Sequence, residues 1–448
     1  MRDGRLTRRQ AIKAGLGALA LPAIIPSSAL GQGDRPGANE RINVGIIGLG
    51  GRARWLAQHS LRNVAEVDVV AVCDIFRPRV DGFANDLQGD ATWSKYDNFL
   101  EMIEQENLDG VLIETTTHAR AWVTVMAMQA GMDVYIEKPM CLTIAEGREM
   151  VDAARRYGRV TQVGTQQRTI PINVWASNLV KSGALGRVDH VVAPNFTGPL
   201  TWTDEPEQPL PDGASDTFWD VWTNQAVMRP YHPQLHYGWA KWWDYDGGGK
   251  SFGVTGWGTH AYDQLQCALG TDDTGPVEVV LEEPVEFRSI WTDSDDMTLA
   301  GPRAKVTMRY ANGTELRLHR DRVGNTLHGL GANFVCEEGE IEIERNQVSS
   351  DPPEIVQSPE NPGPNDRDEC YYHVLDWAQC IKSRGTCAAD IEYSQRAHTL
   401  CYLVNIARDV GRVGEVLEWD PVAERFTNCD EGNAMLSRPR REGYELPG

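Results

Sequence analysis

A glycine-rich turn near the start of the chain carries the first pattern with an evident chemistry. Gly48, Gly50 and Ala53 are spaced as G-x-G-x-x-A, with Gly51 and Arg52 between them. The first glycine permits a tight turn, the second lets the backbone approach a pyrophosphate, and the small third residue keeps a helix close to a strand. Amide groups at the N-terminus of that helix bind phosphate oxygens. The pattern predicts a dinucleotide site, provided that a strand precedes it and a helix follows.

The sequence on either side of this turn supplies both elements. Residues 41–48 form a short apolar run rich in β-branched residues, which is typical of a buried parallel strand. A helical stretch then extends to about Asn63, and a second apolar run covers Val67 to Cys73. The glycine pattern therefore stands in the context that a dinucleotide fingerprint requires.

Asp74 ends the second strand, 26 residues after Gly48. A carboxylate at this place accepts hydrogen bonds from ribose hydroxyls and repels a 2′-phosphate, which favours NAD as the cofactor. Arg77 and Arg79 follow closely and would suit a phosphate, so NADP remains an alternative. A helix N-cap is the other interpretation of Asp74.

Strands and helices continue to alternate as far as residue 164. Alternation of this kind predicts an α/β fold with a doubly wound parallel sheet, in which ligands bind beyond the carboxyl ends of the strands. We predict strands at 110–114, 133–137 and 160–164, and helices at 119–130 and 143–157.

Polar segments follow these three strands, and they should share one crevice because the strand ends meet at one edge of the sheet. The segments supply the remaining predicted cofactor contacts: Thr115, Thr116, His118, Glu137, Lys138 and Gln166. Arg168, in the third segment, is predicted to face the substrate. For His118, a polar residue that merely opens a helix is an equally good interpretation.

The run Val134–Pro139 ends in Glu-Lys-Pro, and with the upstream glycines it resembles the Gfo/Idh/MocA family of nicotinamide-dependent oxidoreductases. The resemblance implies an NAD-binding Rossmann domain over 41–166, followed over 167–448 by an α+β domain with a large open antiparallel sheet. Three later segments add to it: Arg229-Pro230-Tyr231, Trp242-Trp243-Asp244-Tyr245 and His260-x-x-Asp263.

The resemblance also implies two catalytic side chains. Lys138 would lie beside the nicotinamide and contact the reacting hydroxyl, and His260 would act as acid or base, since imidazole titrates near neutrality. The Lys-Pro bond of this family is often cis, and we expect the same here. The alternatives are a surface lysine at 138 and a satisfied buried histidine at 260. The predicted substrate contacts are Arg168, Tyr231, Trp243, His260 and Asp263.

Three positions depart from the family pattern. Gly256 stands four residues before His260, where many members carry an aspartate. Thr116 replaces the proline of a Thr-Pro pair, and Arg120 stands where a histidine usually opens the next helix. These changes bear on the substrate and the proton path more than on the fold.

Aromatic residues are concentrated between 199 and 262, which contains seven of the fourteen tryptophans. Aromatic faces stack on sugar rings, so a carbohydrate pocket is one interpretation, and packing against the sheet or a subunit is the other. Four residues here resemble metal ligands but fit no known spacing, so we predict no metal: His232, His236, Asp244 and Asp246.

Short alternating runs between 276 and 345 predict the antiparallel sheet. A loop rich in Pro and Asp is predicted at 350–367, followed by helices at about 368–383 and 392–411 and an irregular tail at 420–448. The net charge of −21 argues against a nucleic-acid partner. The nine cysteines form no C-x-x-C pair, so neither a zinc site nor a disulfide framework is indicated.

The first residues are typical of an export signal. Arg8-Arg9 precedes an apolar run, Ala14 to Ile25, that is too short to span a bilayer. The segment resembles a twin-arginine signal peptide over 1–31, which predicts a periplasmic or secreted protein without a membrane anchor. Residues 32–40 are predicted to form a flexible leader.

These observations predict an NAD(P)-dependent oxidoreductase that acts on a sugar or polyol hydroxyl by hydride transfer. Two alternatives remain: a redox-neutral enzyme that retains its NAD, and a non-catalytic NAD-containing sugar-binding protein. The expected partner is a small-molecule carbohydrate, and we expect a homo-oligomer by analogy with the family.

Overall fold

Six parallel strands form the first sheet of this computed structural model. They are β1 Ile42–Ile47, β2 Val67–Cys73, β3 Ser94–Tyr96, β4 Gly110–Ile113, β5 Asp133–Ile136 and β6 Thr161–Val163. Their order across the sheet is β3-β2-β1-β4-β5-β6, so the winding reverses between β1 and β4. A crevice for a dinucleotide opens at such a reversal. The predicted doubly wound sheet is therefore confirmed.

Five helices connect these strands: α1 Gly51–His59, α2 Arg77–Leu87, α3 Phe99–Gln105, α4 Thr117–Gln129 and α5 Ile144–Tyr157. Helix α5 has both of its ends fixed by sequence. The Thr143 hydroxyl accepts a hydrogen bond from the Glu146 amide at 3.2 Å, and Gly158 ends the helix at a φ of 61°. Helix α4 begins two residues earlier than predicted.

The structure describes residues 36–37, 40–89, 91–248, 253–289, 300–321 and 329–447. The predicted signal peptide, 1–31, and most of the predicted leader lie outside these residues. None of the helices within the described ranges is long and apolar enough to cross a membrane.

A nine-stranded sheet dominates the second half, in the order β15-β14-β13-β7-β12-β11-β8-β16-β17. The predicted large antiparallel sheet is confirmed, with one parallel pairing within it: β7 pairs with β12 in parallel and with β13 antiparallel. Two further strands, β9 Glu286–Ser289 and β10 Ala300–Arg303, pair separately. The nine strands are β7 Val188–Pro194, β8 Glu278–Leu281, β11 Val306–Arg309, β12 Glu315–Arg320, β13 Ala332–Cys336, β14 Gly339–Glu344, β15 Gln347–Asp351, β16 Val416–Asp420 and β17 Arg425–Phe426.

Helices cover one face of this sheet, because the inward residues of its strands are apolar and almost fully buried. The tail predicted to be irregular, 420–448, contains β17 and a short helix, and β15 extends over the first two residues of the predicted loop. The helices of this half are α6 Pro171–Lys181, α7 Phe218–Thr223, α8 Pro233–Gly238, α9 Trp257–Leu269, α10 Tyr371–Ser383, α11 Ile391–Val410 and α12 Asp430–Ala434.

Helix α10 packs into the core of the first sheet, although it follows the second sheet in the chain. Its Trp377 is fully buried, 5.9 Å from the ring of Tyr135. A Cβ atom at Gly110 would lie only 3.0 Å from the Trp377 ring, so a glycine is needed there. A division of the chain at residue 166 thus describes the order of the elements but not their packing.

Candidate functional site

The glycine turn between β1 and α1 has the geometry that a phosphate cradle requires. Gly48 has a φ of +88°, and a Cβ atom there would lie 2.8 Å from the backbone of Glu114 and Thr115. At Gly50 and Gly51, in contrast, an added Cβ atom would meet nothing within 4 Å. The backbone beside these two glycines is therefore open to a ligand, and the residues present fit a pyrophosphate.

A cavity of about 710 Å³ extends from this turn along the carboxyl ends of β1, β2 and β4. Several predicted cofactor contacts line it: Gly48, Gly50, Gly51, Arg52, Asp74, Thr115 and Thr116. Its other walls come from α3, from α4, from residues 215–239 and from Tyr444. Ala53 is buried beneath the turn and does not line the cavity. The volume is in the range of known small-molecule sites.

Asp74 is held rigidly at the mouth of this cavity. Its carboxylate accepts hydrogen bonds from the amides of Leu49 at 2.8 Å and Phe76 at 2.9 Å, and it pairs with Arg79 at 3.2 Å. Helix α2 begins at Arg77 with Phe76 as its N-cap, so the N-cap interpretation of Asp74 is wrong. The aspartate stands where it can meet a ribose, with a cation beside it.

Glu137 and Arg52 form an ion pair behind the glycine turn, with 2.6 Å between Nε and Oε1. The Glu137 carboxylate also accepts a hydrogen bond from the Lys138 amide at 2.6 Å. Burial acts to raise the pKa of Glu137, but Arg52, Lys138 and Arg120 outweigh it and the pKa is lowered. Gln166, with its amide oriented to suit its neighbours, accepts a hydrogen bond from Arg52. These hydrogen bonds and the ion pair hold the glycine turn in place.

Lys138 lies at the N-terminus of the helix that carries His260. The Lys138–Pro139 bond is cis, as expected. The Lys138 Nζ donates a hydrogen bond to the carbonyl oxygen of Gly256 at 3.2 Å, and Gly256 is the N-cap of α9. Burial lowers the pKa of Lys138 to about 8, against the opposing effect of Glu137 and with help from Arg52. At the position where the family resemblance implies an aspartate, the Lys138 ammonium group thus donates to a backbone carbonyl instead.

His260 follows one helical turn later and is 4% exposed. No hydrogen bond between described residues involves its ring. Burial lowers its pKa well below the usual value, and the charges of Arg345 and Lys138 lower it further. The imidazole is therefore neutral at physiological pH and is available as a proton acceptor. Lys138 thus lies near enough to the His260 ring for its charge to lower the pKa of the imidazole. The catalytic roles of the two residues stay predictions.

The aromatic segment folds into a cap, which we define as residues 202–245. Eight of its buried residues form a small core of their own: Trp202, Phe218, Trp219, Trp222, Ala226, Tyr231, Leu235 and Tyr245. The cap packs on the first half through Phe76, whose ring is 5.5 Å from that of Phe218. Trp222, Tyr237 and Trp239 line the dinucleotide cavity. Packing, rather than a separate sugar pocket, is what most of these aromatic residues do.

Five of the predicted cofactor or substrate contacts interact with other residues of the protein: His118, Tyr231, Trp243, Arg168 and Asp263. His118 is fully buried against Trp222 and Tyr245 of the cap, and its Nε2 lies 2.8 Å from the Trp222 carbonyl oxygen. Tyr231 belongs to the cap core, and Arg438 stacks on Trp243 at 3.8 Å. None of these three lines the dinucleotide cavity, and neither do Lys138 and His260, so the predicted roles of His118, Tyr231 and Trp243 at cofactor or substrate stay predictions.

Arg168 and Asp263 pair with each other, 2.8 Å apart, and both side chains are almost completely buried. Arg168 also pairs with Asp272 at 2.8 Å. The two ion pairs join the turn after β6 to helix α9 and so fix the helix that carries His260. The burial of this ion pair favours a structural role over direct contact with the substrate.

Three residues of the site were not predicted as contacts. Arg120 donates hydrogen bonds to the carbonyl oxygens of Thr115 and Pro139, both at 2.5 Å, and so ties two strand ends together. Arg345 pairs with Glu369 at 2.7 Å and lowers the pKa of His260. Glu114 lines the cavity directly after β4. Two of the three had a signal in the sequence: Glu114 as an acid at the end of an apolar strand, and Arg120 as a departure from the family pattern.

Metal-ligand atoms approach one another at one place among the described residues. Asp376, Cys380 and Cys387 have such atoms within 4.8 Å of each other. The Asp376 carboxylate already accepts hydrogen bonds from Gln162 and from the Ala388 amide. The group is not part of the wall of the dinucleotide cavity. Our prediction of no metal stays a prediction.

Two family models together match most of the chain. The model described as "Oxidoreductase family, NAD-binding Rossmann fold" covers residues 42–165. The model described as "Oxidoreductase family, C-terminal alpha/beta domain" covers residues 173–446. The chain belongs to the Gfo/Idh/MocA oxidoreductase family. As a member of this family it has an NAD-binding Rossmann fold.

Individual relatives match only part of their own length. Inositol 2-dehydrogenase of Salmonella paratyphi B is 29% identical over 147 residues, which is 33% of this chain and 43% of that protein. The scyllo-inositol 2-dehydrogenase (NAD(+)) of Bacillus subtilis is 25% identical over 33% of this chain and 42% of that protein. The chain thus spans less than half of the curated relatives that it matches.

Solved structures of the family show the same fold over most of the chain. The aldose-aldose oxidoreductase of Caulobacter crescentus, complexed with glycerol, has a TM-score of 0.58 and 17% identity, covering 84% of this chain and 99% of that one. The WlbA dehydrogenase of Bordetella pertussis, in complex with NADH and UDP-GlcNAcA, has a TM-score of 0.56 and 15% identity, covering 85% and 99%.

Proposed function

We propose that this Gfo/Idh/MocA protein oxidises or reduces a hydroxyl-bearing carbon of a sugar or polyol by hydride transfer. The observation that carries the proposal is the meeting of Lys138 with the helix of His260 at the end of the dinucleotide fold. The dehydrogenases and sugar oxidoreductases among its relatives support a polyhydroxylated substrate. Hydride transfer from a hydroxyl-bearing carbon needs a base for the hydroxyl proton, and the pair supplies one.

The residues that would hold NAD are the glycine turn for the pyrophosphate and Asp74 for a ribose. The bound cofactor supplies the hydride acceptor or donor. The chain itself has to orient the substrate hydroxyl and move its proton. A cationic Lys138 stabilises the oxygen as negative charge develops on it. The neutral His260 imidazole accepts the proton.

A panel assay tests this proposal. The purified chain would be given inositols, aldoses and uronic acids with NAD⁺ or NADP⁺, and reduced nicotinamide would be followed by absorbance. We expect turnover with at least one polyol and a loss of about 100-fold or more in Lys138→Ala and in His260→Ala. Lys382→Ala, an exposed lysine on α10, is the matched control and should keep full activity. Full turnover in Lys138→Ala would overturn the catalytic assignment.

A redox-neutral cycle with retained NAD is a second candidate, and one observation favours it. The aromatic cap and Tyr444 form part of the wall of the dinucleotide cavity, so they cover a bound nucleotide. A covered cofactor leaves slowly, and a closed cycle restores it at each turnover. Denaturing the freshly purified protein and measuring released NAD tests this. Stoichiometric NAD that exchanges faster in Trp239→Ala is expected, while a nucleotide-free protein would contradict it.

Export through the twin-arginine route is part of the same proposal, and it rests on the sequence of residues 1–31 alone. Fusing residues 1–40 to a reporter that is active only after export tests it. Replacing Arg8 and Arg9 by lysine should abolish export, whereas replacing Arg2 should not. Light scattering on the mature chain would test the expected homo-oligomer.

A further inference from the structure

Glu114 is a buried acid whose hydrogen-bonding capacity is unused. It follows β4 directly, its backbone lies against Gly48, and the residue borders the dinucleotide cavity while being only 8% exposed, with both carboxylate oxygens buried. Neither carboxylate oxygen has a hydrogen-bond partner among the residues that the structure describes. An unpaired buried carboxylate is costly, so this group either keeps a proton or awaits a ligand.

The two arginines near Glu114 bind other groups and not its carboxylate. Arg52 on α1 is paired with Glu137, which follows β5, and Arg120 on α4 donates to backbone carbonyls. Burial and the charge of Glu137 together raise the pKa of Glu114 to about 8, against the lowering effect of Arg52 and Arg120. When no cation is bound beside it, the carboxyl group therefore holds its proton at neutral pH.

The position of Glu114 in the fold indicates which half of the cofactor it faces. Asp74 marks the half of the sheet that holds one nucleotide, at the ends of β1 and β2. The end of β4 begins the other half, on the far side of the winding reversal, and this half receives the second nucleotide of a dinucleotide. With the adenosine ribose at Asp74, that second nucleotide carries the nicotinamide.

We propose that Glu114 is the counter-ion of the oxidised nicotinamide, releasing its proton to solvent when the cationic ring binds and keeping it beside the neutral reduced ring. The proposal rests on the NAD-binding role of this cavity. In the binding step only the carboxyl O–H bond breaks, and no electrons are exchanged. The consequence is that pH sets which redox form of the cofactor this protein holds more tightly.

Binding measurements on the nucleotide-free full chain test the inference without any turnover. Below about pH 8, NAD⁺ affinity should rise about tenfold per pH unit, because one proton is released, and NADH affinity should stay constant. In Glu114→Gln the NAD⁺ affinity should lose this slope and fall about tenfold at pH 8, with NADH unaffected. Glu104→Gln, an exposed acid on α3, is the matched control.

Proton release from the unmodified protein gives an independent readout. Calorimetry of NAD⁺ binding in buffers with different ionisation enthalpies should show close to one proton released near pH 7, and none for NADH. The same release in Lys138→Met assigns the proton to Glu114 rather than to the lysine. A wild-type NAD⁺/NADH affinity ratio that does not change with pH overturns the inference alone. If neither nucleotide binds, the proposed function fails as well.

Discussion

The ammonium group of Lys138 donates a hydrogen bond to the carbonyl oxygen of Gly256, 3.2 Å away, one turn before His260 on the same helix. A residue of the first half is thus joined to the N-cap of a helix in the second. The contact fixes where the two candidate catalytic groups stand relative to each other. It also places a positive charge at the positive end of a helix dipole, which favours the loss of the lysine proton.

The pH dependence of kcat/KM should report both groups. Burial lowers the pKa of Lys138 to about 8, so the cationic form is lost there, and the pKa of His260 is lowered well below its usual value, so the neutral form persists into mild acid. We expect a profile that is flat around neutrality and falls above about pH 8. Introducing a carboxylate with Gly256→Asp should move the alkaline limb upward by about one pH unit. An unchanged limb in that variant would count against Lys138 as its source.

Two glycines of the fingerprint should respond differently to the same substitution. Gly48→Ala is strained at a φ of +88° and forces a Cβ atom to 2.8 Å from backbone, so we expect a loss of about 2 kcal/mol or more in the free energy of unfolding. Gly50→Ala meets nothing within 4 Å, and should leave stability unchanged while weakening NAD binding at least about tenfold. Urea unfolding and nucleotide titration measure the two effects. Equal stability of both variants would contradict the argument.

Cofactor choice should depend on Asp74. Its pairing with Arg79 at 3.2 Å keeps that cation beside the acid, and the acid repels a 2′-phosphate. We expect NAD⁺ to bind more tightly than NADP⁺ in the wild type. Asp74→Ser frees Arg79 and should reverse the preference, whereas Asp74→Ser combined with Arg79→Ala should bind neither well. Competition titrations with both nucleotides provide the measurement.

The buried pair of Arg168 and Asp263 should be important for stability. Arg168→Met leaves the Asp263 carboxylate buried without its cation, and we expect a loss of about 3–5 kcal/mol. The exposed pair of Arg412 and Glu431 is the control, for which Arg412→Ala should cost less than about 1 kcal/mol. Because a buried, unpaired acid prefers its neutral form, the Arg168→Met defect should shrink as the pH falls. Denaturant unfolding at several pH values would show whether it does.

The sequence predicted those parts of the molecule that depend on local pattern. The fingerprint, the alternating strands and helices, and the polar strand ends are read from neighbouring residues, and the structure confirms the fold they define. The location of His118 could not be read in this way, since its partner Trp222 is distant in the chain. The parallel pairing of β7 with β12 depends likewise on a contact between remote segments. Burial, which sets the pKa of Glu114 and His260, is also a property of the whole fold.

The packing of Trp377 against Gly110 and Tyr135 affects when the chain can fold during its synthesis. The cofactor-binding half leaves the ribosome long before α10 has been synthesised. Until then, the apolar surface of its sheet that α10 covers stays exposed to solvent. A nascent chain that still lacks α10 cannot complete the hydrophobic core of the first sheet. The core of the first sheet is therefore completed only during the last quarter of translation. A truncated chain that ends at residue 166 would leave this apolar surface exposed and would be prone to aggregate.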